Sequence, residues 1–147
     1  MPAFVTRRRV EFADTDQAGL CHFARFFVFL ETAEHELFHS LGAAPWRHTD
    51  GRVLGWPRVE AGCRYLSPAF FGDELEIEVA VTRLGTRSVA YEGTFLRGET
   101  KIAKARWSTV CCWMEDPRRL EPTAIPAELA EGLRRYTVEA PAATSGR

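Results

Sequence analysis

From residue 22 to about 41, apolar side chains recur at spacings of three and four: Phe23, Phe26, Phe27, Leu30, Ala33, Leu37, Phe38 and Leu41. That pattern predicts one amphipathic helix of about five turns, and Gly42 stands where such a helix would end. A helix of this length spans roughly 30 Å. Its wide stripe of Phe and Leu needs a broad apolar surface to cover it, which a sheet wrapped around the helix supplies.

The rest of the chain reads as that sheet. Residues 4–12 form a first strand by their β-branched and aromatic content, and 13–21 form a polar loop leading into the helix. Strand patterns follow at 53–66, 73–84, 87–97 and 101–115, punctuated by Ser67-Pro68, Leu84-Gly85-Thr86 and Arg97-Gly98-Glu99-Thr100. Alternation is clearest where Leu75, Ile77, Val79 and Val81 share one face. A short terminal helix with Pro at its start is expected over 126–137, and 138–147 reads as a disordered tail. The expected fold is therefore α+β, one domain over 1–137 with an antiparallel sheet around one long helix.

Charge excludes some partners. Nineteen Lys and Arg nearly balance twenty Asp and Glu across 147 residues, so no overall field favours nucleic acid or an anionic membrane, and an anionic ligand must be held by local Arg or Lys groups. Arg25, Glu31 and Glu34 interrupt the longest apolar run, short of a membrane span. The N-terminal Arg7-Arg8-Arg9 cluster has no apolar stretch after it and does not read as a secretion signal. Cys21, Cys63, Cys111 and Cys112 show neither CxxC spacing nor a disulfide framework, so a cytoplasmic, reducing setting is expected.

Arg9-Val-Glu-Phe-Ala-Asp-Thr-Asp-Gln-Ala-Gly-Leu-Cys-His-Phe-Ala-Arg-Phe-Phe27 resembles the signature of the 4-hydroxybenzoyl-CoA thioesterase family, which includes the 1,4-dihydroxy-2-naphthoyl-CoA hydrolases. The similarity continues through Leu41–Arg47, Gly55-Trp-Pro57 and Phe70–Ile77, covering roughly residues 5–115. The resemblance implies the hotdog fold and hydrolysis of an acyl-CoA, with an aromatic acyl group favoured. It implies no metal and no redox cofactor. It carries the catalytic carboxylate onto Asp16, the second Asp of the D-x-D-x-x-G loop, and the carbonyl-polarising backbone N–H onto Phe23. Many relatives carry Tyr just before that position, whereas this chain reads Cys21-His22-Phe23. Arg83, Arg87 and Ser88 fall where the family holds the CoA nucleotide. Sites at a subunit boundary imply a homodimer or homotetramer.

The chemistry follows from the residues as well. Thioester hydrolysis needs a nucleophile or a water-activating base on one side of the carbonyl, and hydrogen-bond donors where its oxygen gains charge. A loop feeding a helix start offers both. Asp16 serves as nucleophile or general base, and the early N–H groups of the helix lack internal partners and lie at the positive end of its dipole. Gly19 lets the backbone approach the substrate. His22 suits a neutral hydrogen-bonding role there, and Trp56 is placed to line an acyl pocket. Asp14 reads as ordering the loop.

The string His35-Glu-Leu-Phe-His39 matches H-E-x-x-H. Leu37 and Phe38 within it continue the core stripe and no third ligand is evident nearby, so it reads as a polar face beside a buried one. Two other classes stay open: a hotdog acyl-CoA hydratase or dehydratase, and an acyl-CoA binding module in which Asp16 merely orders the loop.

Overall fold

The computed structural model describes residues 3–43, 48–49 and 52–138. Strand β1 (Phe4–Arg9) leads through a single 3-10 turn (Phe12–Asp14) and a loop into helix α1 (Arg25–Ser40). Helix α1 is shorter than the 22–41 expected. His22 to Ala24 form a turn ahead of it, and at its end Gly42 takes φ 74°. There the Ala43 and Gly42 N–H groups reach back to the carbonyls of Phe38 and His39, a Schellman closure that needs a left-handed residue.

The main sheet contains β1, β4 (Arg58–Tyr65), β5 (Glu74–Leu84), β6 (Ser88–Arg97) and β7 (Thr100–Val110), in the order β1-β5-β6-β7-β4 and antiparallel throughout. Leu75, Ile77, Val79 and Val81 are all buried, as the alternation predicts. Against this face α1 presents Phe26, Phe29, Leu30, Ala33, Leu37 and Phe38. Phe29 belongs to the stripe although the three-and-four spacing omitted it. Phe23, which the spacing included, is 64% exposed because it precedes the helix. The close approach of α1 depends on Gly93 of β6, where a Cβ would lie 2.7 Å from Leu30 Cδ2 and 3.1 Å from the Trp107 ring.

Two expected strands each divide. Segment 53–66 becomes β3 (Arg52–Gly55) and β4, parted at Trp56-Pro57, while 101–115 becomes β7 and β8 (Cys112–Trp113). Proline has no N–H to donate to a ladder. Past this point the chain leaves the main sheet, and β3 and β8 pair with each other in a small second sheet of order β2-β3-β8-β9, completed by β2 (His48–Thr49) and β9 (Glu121–Pro122). The single sheet expected from the pattern is thus one large sheet and one small one.

Helix α2 (Ala127–Arg134) follows Pro126 and buries Leu129 and Leu133. After it the chain stays bonded through Val138, whose N–H donates to the Val81 carbonyl at 2.9 Å. The rest of the expected tail, 139–147, lies outside the described residues.

Candidate active site

The loop between β1 and α1 is built on two carboxylates with different jobs. Asp14 is 2% exposed. Its Oδ1 accepts from Arg25 Nε at 2.7 Å and lies 2.7 Å from Arg25 Nη2, while Oδ2 accepts from the Glu11 N–H at 2.8 Å. Asp14 therefore clamps the first residue of α1 to the 3-10 turn.

Asp16 is only partly buried and stands at the neck of a small hairpin, with its N–H donating to the Leu20 carbonyl at 2.8 Å. Its Oδ1 accepts from the N–H groups of Ala18 at 2.9 Å and Leu20 at 3.1 Å. That Asx turn fixes the carboxylate plane and leaves Oδ2 without a protein donor among the described residues. Gly19 takes φ 83° at the hairpin tip, a conformation that favours glycine. A Cβ there would meet nothing within 4 Å, so Gly19 shapes the turn and does not border the cleft described next.

A cleft of about 350 Å³ opens beside this loop. Asp16, Leu20, Cys21, Phe23 and Phe26 form one wall, and the segment Tyr65 to Ala69 forms the other. The walls are tied by Cys21 N–H on the Ala69 carbonyl at 2.7 Å and by Tyr65 hydroxyl on the Phe23 carbonyl at 2.8 Å. The Phe23 N–H has no protein acceptor among the described residues. It lies in the turn before α1, two residues ahead of the helix, and not within the helix as expected. The cleft thus offers a partly solvated carboxylate and an unpaired amide donor on one wall, the pair that acyl transfer needs. Cys21 is no rival nucleophile: burial first, then the nearby Asp14 and Asp16 charges, push its thiol up to about 11 despite Arg25.

His22 is turned to a different use. Its Nδ1 accepts from the Ala24 N–H at 3.1 Å, and the ring stacks on Phe23 with centroids 4.6 Å apart. It does not border the cleft. Trp56 packs on Phe38 at 5.2 Å and lines a separate cleft of about 380 Å³ with Glu31, His35 and Met114. Arg83 and Arg87 are exposed, and Ser88 opens β6. Arg83 lies in the last residues of β5 and Arg87 and Ser88 just beyond it, and the other end of this 11-residue strand faces the Asp16 loop. A strand of that length covers about 35 Å, beyond side-chain reach of the cleft in the same chain.

Two features of this region go unassigned in the sequence, where Glu34 reads only as a break in the apolar run and part of a polar face. One is Tyr65, whose cue is an aromatic ring with a polar tip just before Ser67-Pro68. The other is Glu34, 1% exposed on the inner face of α1. Its carboxylate accepts from Arg58 Nη1 at 2.8 and 2.5 Å and from Trp107 Nε1 at 2.6 Å. A glutamate in register with Leu30, Ala33 and Leu37 was the available cue.

An antiparallel sheet wrapped on a central helix, with a carboxylate loop feeding that helix beside a cleft, defines a hotdog-fold thioesterase. Residues 18–104 match the Thioesterase superfamily, and the chain belongs to that superfamily. The match begins just after Asp16. A 1,4-dihydroxy-2-naphthoyl-CoA hydrolase of Thermosynechococcus vestitus is 30% identical over 84% of this chain and 86% of its own length. A 4-hydroxybenzoyl-CoA thioesterase of a Pseudomonas species is 26% identical over 85% of this chain and 93% of its own. The solved structure of a gentisyl-coenzyme A thioesterase superposes with a TM-score of 0.78 at 25% identity, over 88% of this chain and 99% of that one.

Proposed function

We propose that the protein hydrolyses an aromatic acyl-CoA to the free acid and CoA, with Asp16 as the catalytic carboxylate and the Phe23 N–H as oxyanion donor. The observation that carries this reading is the pairing, on one cleft, of an oriented carboxylate having one free oxygen with an unpaired backbone N–H. Asp16 Oδ2 either attacks the thioester carbon, expelling CoA thiolate and leaving an anhydride that water opens, or takes a proton from the water that attacks. In both routes the carbonyl oxygen gains negative charge, and the Phe23 N–H stabilises it. Phe23 and Phe26 supply apolar surface for the acyl group. The relatives named for 4-hydroxybenzoyl-, 1,4-dihydroxy-2-naphthoyl- and gentisyl-CoA support an aromatic ring there. His22 acts through the turn it caps. Four free cysteines fit a cytoplasmic, reducing setting.

Kinetics on a panel of CoA thioesters test the substrate class. The expected result is a kcat/KM for benzoyl-type substrates at least about tenfold above that for straight-chain ones of similar size, equivalent to about 1.4 kcal/mol of preferential binding. Equal or reversed preference rejects the aromatic assignment.

The site is completed by a second copy in this reading. The β4 edge has no partner strand among the described residues, and Val59 upon it is 67% exposed. Tyr65 ends β4 beside the cleft, whereas Arg58 begins it next to Trp56 and the Ser88 end of the sheet. Two-fold antiparallel pairing of β4 edges lays the Trp56, Arg87 and Ser88 end of one copy beside the Asp16 cleft of the other. A CoA nucleotide bound there meets Arg83, Arg87 and Ser88 from that second copy. Light scattering in line with size exclusion is expected to give twice the chain mass of 16.6 kDa or a multiple of it; a monomeric mass at micromolar concentration contradicts the arrangement.

A further inference from the structure

Among the described residues, three N–H or O–H hydrogen bonds hold the His22–Phe23 and Phe23–Ala24 peptide units ahead of α1. The carbonyl of the His22–Phe23 peptide accepts from the Arg25 N–H at 2.9 Å. In the next peptide the Ala24 N–H donates to His22 Nδ1 at 3.1 Å, and the Phe23 carbonyl accepts from the Tyr65 hydroxyl at 2.8 Å. A peptide unit is planar, so fixing one end of it aims the other. In these two planes only the Phe23 N–H is left over. Two of the bonds are local, but Tyr65 lies 42 residues away on β4 and is, among the described residues, the one sheet side chain that bonds to the turn.

We infer that Tyr65 is a positioning residue, whose hydroxyl locks residues 22–24 against the sheet so that the Phe23 N–H stays aimed at the thioester oxygen. This rests on the thioesterase reading above. The ring of Tyr65, although 45% exposed, meets Phe26 edge-on with centroids 5.4 Å apart, and its hydroxyl reaches the turn. Partial burial of its half-exposed ring, with help from the neighbouring Cys63 and Cys21 thiols, pushes the phenol up to about 12, so it remains a donor at neutral pH. Proximity also links the two walls of the cleft: a shift of β4 that withdraws Tyr65 releases the turn.

Tyr65→Phe keeps the ring and deletes the bond. The expected effect is a fall in kcat on the order of tenfold, since small misplacements of a catalytic donor are costly, with KM within about twofold of wild type. In the free protein, the carbonyl carbon resonance of Phe23 is expected to shift. Tyr65→Gln, whose amide can donate to the same carbonyl, is expected to recover part of the lost kcat. The inference is overturned by a kcat within about twofold of wild type, by a rise in KM at constant kcat, by an unmoved Phe23 carbonyl resonance, or by losses that follow the folded fraction in both variants. A wild type that hydrolyses no CoA thioester overturns the underlying reading itself, a result distinct from any of these.

Discussion

Asp16→Asn is expected to lower kcat by about 10²- to 10⁴-fold while the fold persists. The isosteric amide keeps an oxygen where Oδ1 now accepts from the Ala18 and Leu20 N–H groups, so the hairpin neck retains both bonds. What is lost is the free oxygen's ability to attack carbon or accept a proton from water. Because Asp16 is only partly buried and has no ion-pair partner among the described residues, removing its charge strands no other charged group. The midpoint of thermal unfolding should stay within a few degrees of wild type, as for a surface change of under about 1 kcal/mol. A binding module that uses Asp16 only to order its loop gives the opposite pattern: no hydrolysis to lose, and a variant that behaves as wild type.

The second large effect concerns stability, away from the cleft. Arg58→Met is expected to destabilise the protein by about 3 kcal/mol, the low end of what breaking a buried pair costs, because Arg58 itself is one-third exposed. For a chain of this length that corresponds to a fall of about 6–12 °C in the unfolding midpoint. The cause is Glu34, left, among the described residues, with the Trp107 N–H alone for its carboxylate. Burial holds the Glu34 carboxyl above the ordinary glutamate value, while Arg58 and then Trp107 pull it back. Losing Arg58 raises it further.

The sign of the pH dependence follows. A carboxyl whose folded value lies above its unfolded value stabilises fully below the unfolded value, about 4.3, and loses that contribution as pH rises through the folded value. The gap between variant and wild type is therefore narrow in acid and wide at neutral pH. Glu34→Met combined with Arg58→Met removes both charges and is expected to recover most of the loss. Melting curves of the three proteins from pH 4 to pH 8 check this; a gap that widens in acid contradicts it.

Periodicity made much of this architecture legible beforehand. The stripe through Phe26, Leu30, Ala33, Leu37 and Phe38 and the alternation from Leu75 to Val81 each have one buried face, so local pattern and tertiary burial agree. Boundaries were less visible. The helix begins at Arg25 because Asp14 clamps that residue and the His22 ring caps the turn before it, contacts between residues that no helical period records. The splits at Trp56-Pro57 and Cys111 arise where strands change sheets, while the hydrophobic pattern runs on through both points.

For the site, the Asp-Thr-Asp loop could be recognised, and its two carboxylates were distinguished by resemblance rather than by spacing. Tyr65 and the Glu34–Arg58–Trp107 cluster depend on strand register, which brings residues 42 and 73 positions apart into contact and leaves no trace in local sequence. Trp56, Arg83, Arg87 and Ser88 lie at the far end of their own chain from Asp16, and within one chain they do not border its cleft.

Cleavage of an aromatic CoA thioester is proposed to need the Asp16 carboxylate and the Phe23 N–H together. It is tested most directly by release of free CoA thiol from 4-hydroxybenzoyl-CoA, followed for wild type and Asp16→Asn at equal folded concentration. Steady multiple-turnover release by the wild type, with release by Asp16→Asn at least about 100-fold slower, is the predicted result. Equal rates for the two proteins, or no release by either, would contradict it.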